Sequence, residues 1–62
     1  MKLPGLKGVR ERKLMTQREL AVKASMSHSA INRIEQGKEE ARISTVRKLA
    51  EALGVRPEEL TG

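Results

Sequence analysis

Apolar residues recur along this chain at helical spacing, in short stretches broken by glycine, proline and small polar residues. Sustained alternation is missing, and Ala, Leu, Glu, Lys and Arg dominate, so strands are not expected. The pattern predicts five helices, at residues 3–13, 17–24, 28–36, 43–53 and 57–61. In the first, Leu3, Leu6 and Val9 share a face, Pro4 is tolerable in a first turn, and Gly5 and Gly8 weaken the start. The second opens on TQRE: Thr16 as N-cap with Glu19 three residues on makes a capping box, and Met15 and Leu20 are placed for a hydrophobic staple. Leu20, Ala21 and Ala24 form its inward face. The third has Ser27 as N-cap and Gly37 as its stop. In the fourth, Ile43, Val46, Leu49, Ala50 and Leu53 form an apolar stripe, closed by Gly54 and Val55 in a Schellman ending. The fifth is one turn, with Pro57 at its first position, Glu58 and Glu59 at its positive end and Leu60 returning to the core.

Ser25, Met26 and Ser27 alone separate the second helix from the third, so the two make a helix-turn-helix. The fold class expected is therefore all-α: a compact five-helix bundle, one domain over residues 1–62. At about 100° per residue, Ile31 and Ile34 set the buried direction of the third helix. Ser29, Asn32, Arg33 and Gln36 gather opposite, His28 sits at the edge, and Glu35 falls beside the buried face. Asn can pair with adenine N6 and N7, Arg with guanine O6 and N7, and Ser can donate or accept. Any amphipathic helix also exposes polar residues; the short turn before this one favours base reading.

Composition narrows the partner. The chain has 62 residues, 13 basic and 8 acidic, for a net charge of +5, and a pI near 10.3. Such a balance suggests a polyanion. With no aromatic residue, modules that stack bases on Phe or Tyr are excluded. Cysteine is absent and there is one His, which leaves no disulfide, no thiolate metal site and no expected cofactor. No apolar run approaches the ~20 residues of a membrane span, and MKLPGLKG is no secretory signal. A cytoplasmic protein is expected. Catalysis is not: Cys, Tyr and Asp are missing, and His28 beside Ser27 and Ser29 has no carboxylate at a triad-like remove.

The stretch TQRELAVKASMSHSAINRIEQGK, followed by ISTVRKLAEALGVRPEEL, resembles the lambda-repressor-like helix-turn-helix domains, the cI/Cro/XRE family. The match covers Leu6 to Leu60 and rests on Arg10, Gln17, Glu19-Leu20-Ala21, Ser27, Ile31, Ile34-Glu35, Gly37, Leu49-Ala50, Leu53-Gly54 and Leu60. The resemblance implies sequence-specific binding of double-stranded DNA by a transcriptional regulator, more often a repressor, dimeric at least on DNA. It implies base contacts from His28, Ser29, Asn32 and Arg33, although His28, which stands where Gln is frequent, fits a backbone or cap-region contact better than a base edge. It puts Gln17 on a phosphate or bracing the third helix, and Ser27 and Gln36 on phosphates. Lys38 and Arg42 are expected to add to the phosphate footprint and to compensate Glu39 and Glu40 in the same loop. Arg10 and Glu35 match a family ion pair, with Arg10 also near a phosphate. Val55, Pro57 and Leu60 are candidate dimer contacts. An antitoxin or adaptor of the same fold, with a protein as main partner, is the alternative.

Three departures stand out. Ser25 replaces a usual glycine, which costs about 1 kcal/mol if the position needs positive φ. Arg42 and Arg56 replace usual Ser or Thr caps, leaving Ser44 as a candidate cap for the fourth helix.

Overall fold

The computed structural model describes residues 1–62. Five helices follow in order: α1 (Leu6–Arg12), α2 (Gln17–Lys23), α3 (His28–Glu35), α4 (Ile43–Leu53) and α5 (Pro57–Thr61). α1 starts at Leu6 rather than at residue 3. The reason is packing: the Gly5 N–H donates to the Leu60 carbonyl at 2.9 Å, and a Cβ on Gly5 would run into the Glu59 carbonyl oxygen. The chain must arrive against α5 before it can begin to coil. Leu3 still reaches the core, at 2% exposure, from outside the helix.

Local capping accounts for most other helix starts. The Thr16 hydroxyl accepts from the Glu19 N–H at 3.1 Å while the Glu19 carboxylate accepts from the Thr16 N–H at 2.8 Å. Ser27 Oγ accepts from the Ala30 N–H at 3.1 Å. The Glu59 carboxylate accepts from the Arg56 N–H at 3.1 Å. Ser44 does not cap α4. The helix begins at Ile43, two residues before a Ser44-capped helix would, with Arg42 at the N-cap and no side-chain cap bond.

The first four helices end the same way. Leu14, Ser25, Gly37 and Gly54 each adopt positive φ, at 58°, 55°, 74° and 69°. Behind each, the next N–H bonds back to a carbonyl one turn earlier: Met15 to Arg10 at 3.2 Å, Met26 to Ala21 at 2.8 Å, Lys38 to Arg33 at 3.0 Å and Val55 to Ala50 at 3.0 Å. These are Schellman endings. Two of the four left-handed positions carry an L side chain, Leu14 and Ser25.

The core is wholly aliphatic. Leu6, Leu20, Ile31, Ile34, Leu49 and Leu60 are its most buried large side chains, one or more from each helix. Met15, Met26 and Val55 pack at its margin. Two expectations fail here. Ile43, assigned to the apolar stripe of α4, is 62% exposed: it stands at the first residue of the helix, where the stripe has run past the neighbouring elements. Leu60, a candidate dimer contact, is fully buried, because it is the residue that receives the Gly5 crossing. The chain start closes the bundle: Met1 and Ala41 exchange two backbone bonds of 2.8 Å, and Lys2 Nζ donates to the Gly37 carbonyl at 2.5 Å. No helix is long and apolar enough to cross a membrane.

Candidate nucleic-acid interface

The turn between α2 and α3 is short because Ser25 reverses the chain in a left-handed conformation. A Ser there carries the strain anticipated from its sequence position, about 1 kcal/mol or somewhat more. Past the turn, α3 buries Ile31 and Ile34 and leaves His28, Ser29, Arg33 and Gln36 exposed, with Asn32 half-buried between them.

Beneath that face lies a polar network drawn from three helices. Arg10 of α1 donates to Glu35 of α3 through Nε at 2.6 Å and Nη2 at 3.1 Å. Its Nη1 donates to the Met15 carbonyl at 2.8 Å. The two side chains are only 10% and 3% exposed. The hydrogen bonds to Glu35 raise the Arg10 pKa above its ordinary value, outweighing the opposing effect of burial. A buried carboxylate needs such a partner, since burying either charge alone is costly. Gln17 of α2 joins in: its Nε2 donates to Glu35 Oε1 at 2.9 Å and to Asn32 Oδ1 at 3.3 Å. Its Oε1 faces His28 Nε2 at 2.9 Å. Gln36 Nε2 donates to Asn32 Oδ1 at 3.3 Å. No buried side-chain polar atom lacks a partner.

The expected site residues therefore separate. His28, Ser29, Asn32, Arg33 and Gln36 share one face of α3, with Ser27 at its N-terminus. Gln17 is half-buried, its amide turned into the network rather than outward. Arg10, also expected near a phosphate, is buried with three of its nitrogens engaged inside the protein. Lys38 and Arg42 are exposed on the loop after α3. The two carboxylates between them are paired: Glu39 accepts from Arg33 Nε at 2.8 Å, and Glu40 lies 3.1 Å from the N-terminal ammonium, which holds its carboxyl below the usual range. The Arg33–Glu39 pair escapes sequence reasoning because the two residues meet only after Gly37 reverses the chain. No helical spacing signals it.

A family model described as Helix-turn-helix matches residues 6–60. The chain belongs to the XRE/cI-like helix-turn-helix family. It is a DNA-binding transcription regulator by that membership. Among solved structures, it is similar to the restriction-modification controller protein C.AhdI from Aeromonas hydrophila, with 30% sequence identity and a TM-score of 0.87, over 90% of this chain and 85% of that one. No curated protein matches it. The five-helix, strand-free architecture expected from periodicity agrees with that structural likeness. The helix-turn-helix match also identifies double-stranded DNA as the partner class.

Proposed function

We propose that the domain recognises a specific operator by laying α3 in the major groove while α2 crosses the backbone, and that it represses transcription from there. The observation that carries this is the polar face of α3, braced from behind by Gln17 and the buried Arg10–Glu35 pair. Ser29, Asn32, Arg33 and His28 read base edges. Ser27, Gln36, Lys38 and Arg42 meet phosphates; the Ser27 hydroxyl accepts from the helix and keeps its proton to donate. Gln17 braces, and Arg10 serves the fold. Glu39 holds Arg33 in the free protein, so Arg33 trades a carboxylate for a guanine edge on binding.

Binding as a homodimer fits half-sites one helical turn apart, about 34 Å. The face suited to the contact carries Ile43 and Pro57, with Val46 at its floor. Similarity to C.AhdI favours a more specific version, in which the regulated genes belong to a restriction-modification system.

Selection of bound sequences from random duplex DNA tests the proposal. One enriched half-site, repeated at a fixed spacing of about one turn, is expected. Arg33→Ala should lose about 1–3 kcal/mol and flatten one base position. Failure to enrich any sequence would overturn the reading and favour a protein partner instead. Equal loss on specific and random DNA would move Arg33 to a phosphate.

A further inference from the structure

The hydrogen-bond directions in the α1–α2–α3 network are not independent of one another. A guanidinium has only donors and a carboxylate only acceptors. Glu35, held by Arg10, can therefore be met by Gln17 only through its NH2 group, at 2.9 Å. The second hydrogen of that NH2 goes to Asn32 Oδ1 at 3.3 Å. The Gln17 carbonyl is then committed to His28 Nε2, at 2.9 Å, and an N–H must meet it. In the neutral ring that leaves His28 Nδ1 as an acceptor. Asn32 Oδ1 takes a second bond from Gln36, also 3.3 Å, so both of its lone pairs are used. The Asn32 NH2 keeps its hydrogens for something outside the protein.

We infer that Glu35 is a specificity-positioning residue: through Gln17 it polarises the reading face, so that Asn32 offers hydrogen-bond donors and neutral His28 an acceptor. This rests on the reading of α3 as the base-contacting helix. Its consequence concerns which base is chosen. The two-bond pairing of Asn with adenine needs the side-chain oxygen as well as the NH2, and that oxygen is occupied. A donor-only Asn32 suits adjacent acceptors, which guanine presents as O6 and N7, or the single O4 of thymine, whereas adenine offers N7 only beside its N6 amino donor, which would meet the Asn32 NH2 donor to donor. The domain therefore selects guanine or thymine over adenine and cytosine at the Asn32 position.

Two measurements decide the matter. Imidazole nitrogen shifts of the free protein at alkaline pH, where the ring is neutral, should show the Nε2–H tautomer. In Glu35→Gln the amide can face Gln17 either way round, so the other tautomer should appear. Duplex selection should show guanine or thymine favoured by about fivefold or more at the position that Asn32→Ala flattens. In Glu35→Gln, adenine should become as acceptable there. If that variant does not fold, Gln17→Met keeps the Arg10–Glu35 pair, cuts the relay and should relax the same position. An Nδ1–H tautomer in the parent protein, or adenine at the Asn32 position, overturns the inference. If no sequence is enriched but the tautomer is Nε2–H, the polarity stands and sequence-specific reading is what fails.

Discussion

Leu14 is the most informative single position for stability. It closes α1 at φ 58°, a left-handed conformation that costs an L residue about 1–2 kcal/mol. The surroundings impose it: the Met15 N–H bonds back to the Arg10 carbonyl, and the Met15 carbonyl accepts from the Arg10 guanidinium. Replacing Leu14 with glycine removes the strain. It sacrifices almost no packing, because Leu14 is 90% exposed. Against that gain stands the greater freedom of glycine in the unfolded chain, about 0.4–1 kcal/mol. The net expectation is a stabilisation of about 0.5–1 kcal/mol, a rise in Tm of roughly 4–8 °C for a domain of this size. Gly54→Ala is the opposite experiment: φ is 69° and nothing lies within 4 Å of the new Cβ. Only backbone strain is added, and Tm should fall by a similar amount. Thermal unfolding followed by far-UV circular dichroism measures both, with urea titration checking that the slope m is unchanged. A Tm for Leu14→Gly at or below the parent's, beside the expected fall in Gly54→Ala, would refute the reasoning. Leu14 would then be unstrained, or its side chain would be packed against a second copy.

The other expectations concern packing and association. Arg10→Ala leaves the Glu35 carboxylate buried without a partner, a loss of about 3–5 kcal/mol. A chain of 62 residues has about 3–9 kcal/mol of stability in all, so the variant should be largely unfolded or melt far below the parent in the same assay. Replacing the pair together, as Arg10→Met with Glu35→Leu, should restore folding. Gly5→Ala drives a Cβ into the Glu59 carbonyl and should separate α1 from α5, costing about 1–3 kcal/mol in a urea titration. Ile43→Lys should leave Tm within a few degrees, since Ile43 is mostly exposed, and should weaken self-association in sedimentation if the α4–α5 face joins two copies.

Much of the fold was legible because its signals are local. The Thr16–Glu19 box, the Ser27 cap and the glycine stops at 37 and 54 act within one or two helical turns. The direction of α3's polar face follows from Ile31 and Ile34 alone. Sequence reasoning went astray where distant segments meet. Nothing near residue 3 shows that Gly5 must cross α5. Nothing near Ile43 shows that its neighbours end before they reach it. The strained Leu14 is silent for another reason: its bonds to Arg10 are local, within five residues, but no glycine marks the left-handed position.

The sequence by itself determined the helices, their caps and which side chains of α3 face away from the core, because helical register depends on neighbours in the chain. Only the tertiary structure decided how the buried charges join with Gln17 and Asn32 into one network and how the reading face is polarised. Arg10, Gln17 and Glu35 lie on three different helices, and a donor finds its acceptor only where packing brings them within about 3 Å.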